Sequence, residues 1–157
     1  MFANIVLWLF VIDLGIAFGA GLYEHRIVLP QWFARDAQGR LRVNVEAMRG
    51  TDTGRRFWGF TTTVPLTLLT AANLVVAWQS AGARREWWIA AALVIVVERI
   101  GTFVYFIPTA VRLMRADAAT SADLEATASR WMLLNHVRAA LTLVGWLAAL
   151  KALSLSG

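Results

Sequence analysis

The chain has 157 residues, of which 59% are hydrophobic and only 16% charged, with a net charge of +5 and a mean hydropathy of +0.58. Soluble domains carry about 25% charged residues, so this composition excludes an ordinary soluble enzyme and specifies a membrane protein. No cysteine is present, which excludes disulfides, thiolate metal ligands and a cysteine nucleophile. The basic residues, all arginine except Lys151, flank apolar stretches rather than forming a basic domain, so the expected charged partner is the lipid headgroup and not nucleic acid.

Four stretches are long enough to cross a hydrocarbon core of about 30 Å, which takes roughly 20 helical residues: Asn4–Tyr23, Phe57–Trp78, Trp87–Val111 and Trp131–Leu150. The fold expected from them is all-α: one domain, residues 1–157, forming an integral membrane four-helix bundle with a long loop between helices 1 and 2. The first stretch lacks a basic leader and exceeds the apolar core of a signal peptide, so it reads as a retained span.

The first span contains Gly15-x-x-x-Gly19, a spacing that permits close helix approach. In the long connection, Asp36 to Gly39 and Arg49 to Gly54 carry turn signals. Between them Leu41, Val43 and Val45 alternate with Arg42 and Asn44, predicting an extended piece or hairpin over one mouth of the bundle. Pro65 in the second span should kink it. Trp58, Trp78, Trp87, Trp88 and Trp131 lie near span ends, where an interfacial belt accounts for them. Arginine is denser in the first and third connections than on the other side, which by the positive-inside rule places the long loop in the cytoplasm of a bacterial inner membrane and both termini outside.

The third span holds the charged pair Glu98 and Arg99. A charge at the bilayer centre costs at least about 2.5 kcal/mol and normally faces a bundle interior. Glu98, Thr102, Tyr105, Thr109 and Arg112 step by four, three, four and three, which at 100° per residue places them within a sector of about 80°. In the fourth span Trp131, Asn135, Arg138 and Thr142 form a second polar stripe by the same arithmetic. Asp13 and Glu24 share a face of the first span, differing by only about 20°. Glu24, His25, Arg26, Tyr105, Arg112, Asn135, His136 and Arg138 all fall in the long-loop half of the bundle, where they are expected to surround one cavity, with Asp13, Glu98 and Arg99 deeper. A structural ion pair such as Glu98 with Arg138 is the alternative for the buried charges. His25 and His136, on different helices, offer a second alternative: two imidazoles for haem or a metal. Helix geometry turns His136 about 100° away from Asn135, and no His-x-x-x-His or Glu-x-x-His spacing supports a metal centre.

The segments GAGLYEHRIVLPQW (residues 19–32), YFIPTAVRLM (105–114) and RWMLLNHVRAAL (130–141) resemble a four-span membrane family that includes the anthrone oxygenases of polyketide pathways. The resemblance implies oxygenation of an electron-rich phenolic or anthrone-like ring without a bound cofactor. It implies Glu24 or His136 as the base, Arg138, Asn135 and Arg112 as donors to a developing oxyanion or substrate, and Tyr105 and Trp32 as the lining of an aromatic pocket. Glu98 and Arg99 match no motif of the family, and they are carried as substrate-side residues on burial alone. The expected ligand is a small hydrophobic aromatic or quinone-like molecule. The competing readings are a non-catalytic subunit of a larger membrane complex, a homo-oligomer, and a haem or metal redox protein.

Overall fold

The structure is a computed structural model, and it describes residues 1–116 and 122–155. Four helices are long and apolar enough to cross a membrane: α1 (Phe2–Trp32), α3 (Gly54–Trp78), α4 (Gly82–Arg115) and α5, the last spanning Ala122–Ser154. Between α1 and α3 lie strands β1 (Phe33–Arg35) and β2 (Leu41–Val43) and the short helix α2 (Val45–Thr51). Residues 117–121, in the expected third connection, lie outside the described residues. The chain is an integral membrane four-helix bundle, as its apolar stretches predict. Helices α1, α3 and α4 each run on beyond their apolar stretch at the long-loop end, and α5 starts before its own.

The helices close into a ring in which α1 and α4 each pack against both α3 and α5. The half away from the long loop is closely packed and mostly apolar. Leu7, Phe10, Leu14, Leu66, Trp88 and Ile95 are fully buried there and pack against a run of alanines on α5. Asn73 joins three helices in this half: its amide donates to the carbonyls of Val6 (3.3 Å) and Leu69 (2.7 Å), and its Oδ1 accepts from Trp88 Nε1 at 2.8 Å. The outward faces carry residues such as Trp8, Ile12, Leu68, Val97, Val104, Leu133 and Val144. Such a surface suits lipid as its solvent.

Close approach occurs at one glycine of the predicted spacing: a Cβ on Gly15 would stand 3.2 Å from Trp146 of α5, whereas one on Gly19 would meet nothing within 4 Å. The tightest contact is at a glycine outside that spacing, Gly145 of α5, where a Cβ would come within 2.5 Å of Ile95 Cδ1 and 2.8 Å of Ile95 Cγ1. The tryptophan belt is also only partial. Trp78 and Trp87 are exposed, but Trp88 is fully buried, Trp131 is 4% exposed, and Trp58 turns inward to a carboxylate.

Three of the long helices widen into π-helix, at Glu24–Val28, Gly54–Thr63 and Thr102–Phe106. Each widening ends just before one of the chain's three prolines: Pro30, Pro65 and Pro108. The reason is local. Proline has no N–H, and its ring crowds the carbonyl four residues back. Those carbonyls belong to Arg26, Thr61 and Val104, all inside the widened turns. The amides just ahead of the prolines, on Leu29, Val64 and Ile107, bond instead to the carbonyls of Glu24, Gly59 and Thr102, five residues back. A π turn inserts one extra residue, so everything beyond it is rotated by about one residue's 100° relative to an unbroken helix.

The long connection forms a cap. β1 and β2 pair antiparallel, with Phe33 opposite Val43 and Arg35 opposite Leu41, and Asp36 closes the turn by accepting from the amides of Gln38 and Arg40. Asn44 caps α2 by accepting from Ala47 N at 3.0 Å. The cap is tied to the bundle at three points. Leu41 N donates to Glu125 Oε1 of α5 at 2.8 Å. Arg49 donates to the carbonyls of Met114 and Ala116 at the end of α4. Trp32, Phe33, Met48, Phe106, Leu113 and Trp131 bury an aromatic seam between cap and helices.

Candidate functional site

All three π segments lie beside one cavity of about 550 Å³ in the long-loop half of the bundle, within the range of about 300–1,000 Å³ usual for small-molecule sites. Helices α1, α3, α4 and α5 supply its sides, Trp32 standing at the end of α1, and Met48 and Arg49 of the cap border it. The sequence of α5 contains no proline, and on this helix the predicted stripe holds in full: Trp131, Asn135, Arg138 and Thr142 all line the cavity.

On α4 the stripe breaks. Glu98 and Thr102 line the cavity, but after the π turn the inward positions become Phe106, Ala110 and Met114. Tyr105 is half-buried, with the Arg130 guanidinium 5.9 Å from its ring centroid, and Arg112 is exposed; neither lines the cavity. The expectation that these two reach the site counted 100° per residue through a segment that Pro108 had widened.

Glu24 sits 5% exposed at the first turn of the π segment of α1. Its Oε1 accepts from Trp58 Nε1 at 2.8 Å and from Thr53 Oγ1 at 3.3 Å. Its Oε2 faces Arg138 Nη2 at 3.8 Å, an ionic contact too long for a hydrogen bond. The Arg138 guanidinium also lies 4.7 Å from the centroid of the Phe106 ring, a cation–π distance. The buried charges therefore pair as Glu24 with Arg138 and Glu98 with Arg99, rather than Glu98 with Arg138. The second pair is a fork: Arg99 Nε and Nη2 donate to Oε2 and Oε1 of Glu98 at 2.5 and 2.7 Å, and Thr102 Oγ1 adds a bond of 3.0 Å.

Asn135 is fully buried, lines the cavity, and has no partner for either its Oδ1 or its Nδ2 among the described residues. Most buried polar side-chain atoms are paired, so two orphans on one amide call for an explanation such as a bound molecule or water. Arg99 Nη1 and His25 Nε2 are two further buried atoms of lining residues without a partner among the described residues. One amide, one guanidinium nitrogen and one imidazole nitrogen of the lining are thus unpaired alongside the Glu24–Arg138 pair.

The two histidines touch, but only one of them reaches the cavity. His25 borders the cavity and His136 is exposed and does not; the base role considered for His136 has no geometric support. Each holds its Nδ1 against a carbonyl one turn back, Gly21 at 2.8 Å and Met132 at 2.9 Å. Their rings meet edge to face with centroids 4.6 Å apart. Among the described residues no group of three or more His, Asp or Glu is placed to hold a metal ion. Trp32 lines the cavity but directs its indole N–H to Thr51 Oγ1 at 2.9 Å. Of the two residues that anchor Glu24, Trp58 is read from the sequence as part of the interfacial belt and is found inside on the carboxylate, and Thr53 carries no signal in the sequence.

A family model described as anthrone oxygenase matches residues 54–148. The match takes in α3, α4 and most of α5, and with them Asn135 and Arg138; Glu24 lies ahead of it. No curated protein and no solved structure matches the chain.

Proposed function

The chain belongs to the anthrone oxygenase family, and on that premise we propose that it is a membrane-embedded oxygenase that converts a small anthrone-like or phenolic ring system to a quinone within the cavity. The observation that carries this reading is the unpartnered Asn135 amide beside the Glu24–Arg138 pair. Those three groups supply a base, a cation and a neutral hydrogen-bonding group along one wall.

In this reading Glu24 takes a proton from the ring CH₂ of the substrate, leaving an anion delocalised onto the ring oxygen. Arg138 and the Asn135 amide stabilise that oxygen as it gains charge. The anion passes its electrons to O₂, forming a carbon–oxygen bond and a peroxide. Loss of the second C–H proton with cleavage of the O–O bond leaves a carbonyl and releases water, so anthrone and O₂ give quinone and water. Trp58 and Thr53 hold one oxygen of Glu24 and leave Oε2 toward Arg138, where the proton is taken. The oxidant is O₂ and the electrons come from the substrate, so the sequence of steps needs no further redox group.

The test is quinone formation from an anthrone and oxygen by the purified protein, followed by absorbance, with Glu24→Gln, Arg138→Ala and Asn135→Leu alongside. Loss of a positioned base or of one oxyanion donor lowers rates by about 10²–10³-fold. Equal rates in the wild type and all three variants would reject this site.

A further inference from the structure

The charges around the cavity do not balance. Glu24 and Glu98 stand against Arg138 and Arg99, which leaves the floor close to neutral. Asp52 is the remaining carboxylate of the lining, and three more arginines, Arg49, Arg55 and Arg115, border the site. Arg49 is engaged with the carbonyls at the end of α4. Arg55 reaches Asp52 only at 4.0 Å, with its side chain 89% exposed. Arg115 is exposed and has no ion-pair partner among the described residues. Five arginines thus face three carboxylates, and the excess positive charge is at the rim, where Arg49, Arg55 and Arg115 stand against Asp52 alone; of the three, Arg55 at the start of α3 and Arg115 at the end of α4 are not held by backbone carbonyls.

Between rim and floor the wall is aromatic and apolar: Trp32, Met48, Phe106, Ala110, Met114 and Trp131. A ligand complementary to this sequence of surfaces has a flat apolar body with an anionic group at its outer end. We propose that the cavity selects aromatic acids, binding an ionised oxygen substituent, of which a carboxylate is the simplest, at Arg55 and Arg115 while the rings lie along the apolar wall. Arginine suits this task because its fork meets a carboxylate with charge-assisted, directional bonds. The inference deepens the proposed function and rests on reading the cavity as a substrate site.

The test compares anthracene-2-carboxylate with its methyl ester, titrated by fluorescence at about pH 8, where a carboxylic acid is ionised, into full-length protein in phosphatidylcholine nanodiscs. The Arg55→Gln/Arg115→Gln double variant is titrated in parallel after its melting temperature is shown to match the wild type. Comparing each probe between the wild type and the variant cancels its own partitioning into the lipid. The acid is expected to weaken by about tenfold in the variant, the equivalent of about 1.4 kcal/mol, with the ester unchanged within about twofold. Equal loss for acid and ester, or no loss for either, overturns the proposal and leaves the cavity as a site for neutral ligands. Failure of both probes to bind the wild type rejects the cavity reading itself. Phosphate headgroups share the carboxylate's chemistry, so the titration is repeated in phosphatidylglycerol nanodiscs. A preference for the acid that survives there supports the assignment; a preference abolished there assigns the arginines to lipid and overturns it.

Discussion

Trp88 of α4 donates its indole N–H to Asn73 of α3 at 2.8 Å, in the half of the bundle away from the long loop, where both side chains are fully buried. The same asparagine reaches the Val6 carbonyl of α1, so one side chain satisfies polar groups on two neighbouring helices. Asn73→Leu removes the acceptor and leaves the indole N–H without a partner, which costs about 1–3 kcal/mol. The expected result is earlier unfolding of the variant in an SDS titration of the purified protein, with any quinone-forming activity retained below the transition. Unchanged unfolding would mean that this bond contributes nothing net.

The contact of Gly145 with Ile95 predicts an asymmetry among the glycines. Gly145→Ala forces the α4–α5 interface apart or Ile95 out of its rotamer, at a cost of about 1–3 kcal/mol, whereas Gly19→Ala, which meets open space, changes stability by less than about 0.5 kcal/mol. Adding Ile95→Val to Gly145→Ala should restore part of the loss, because it removes the methyl nearest the new Cβ. Additive effects in the double variant, read as melting temperatures, would show that the two sites do not share one packing problem.

Replacement of Pro108 frees α4 to close its widened turn into regular α-helix. In Pro108→Ala the residues on one side of that turn rotate relative to the other, and Phe106, Ala110 and Met114 no longer line the cavity together. The expectation is weaker binding of an aromatic probe with little change in melting temperature, since an alanine is tolerated better than a proline inside a helix. Because the chain has no cysteine, single cysteines at positions 105 and 106 can report the rotation directly by their labelling rates. Labelling patterns identical in the wild-type and Pro108→Ala backgrounds would show that the proline does not hold the turn open.

The hairpin turn of the cap depends on Asp36. Burial pulls its carboxyl pKa upward, but the amides of Arg40 and Gln38 and the guanidinium groups of Arg40 and Arg42 outweigh that and hold it below its ordinary value of 3.8. A carboxylate whose pKa is lowered by folding adds stability that is complete above the unfolded value and is lost as pH falls through the folded one. Amide exchange protection of Gln38 and Arg40 should therefore hold steady from neutral pH down to about pH 5 and decline only below the ordinary aspartate range. Asp36→Asn should show reduced protection at neutral pH as well. Equal protection in both proteins would assign the turn to its backbone bonds alone.

The amino-acid sequence by itself determined the solvent and the architecture. Four apolar stretches, each about the thickness of a bilayer, admit only spanning helices, because backbone polar groups in lipid must pair within their own segment. It also determined the cap hairpin, through alternation at Leu41 and Val43, although Val45 opens helix α2 instead, and the cavity face of α5, where 100° per residue applies without interruption from Trp131 to Thr142. The tertiary structure decided the rest of the site. Tyr105 and Arg112 left the cavity because Pro108 widens the turn before it, and a single added residue there turns the following face by about 100°; the three prolines were visible, but their effect on phase was not. The partner of each buried charge was likewise decided in space. Glu24 and Trp58 stand 34 residues apart in the chain, and they meet at 2.8 Å only because α1 and α3 are neighbours in the ring. Periodicity describes one helix at a time, whereas a site at the centre of a bundle is made by the rotation of each helix relative to the others.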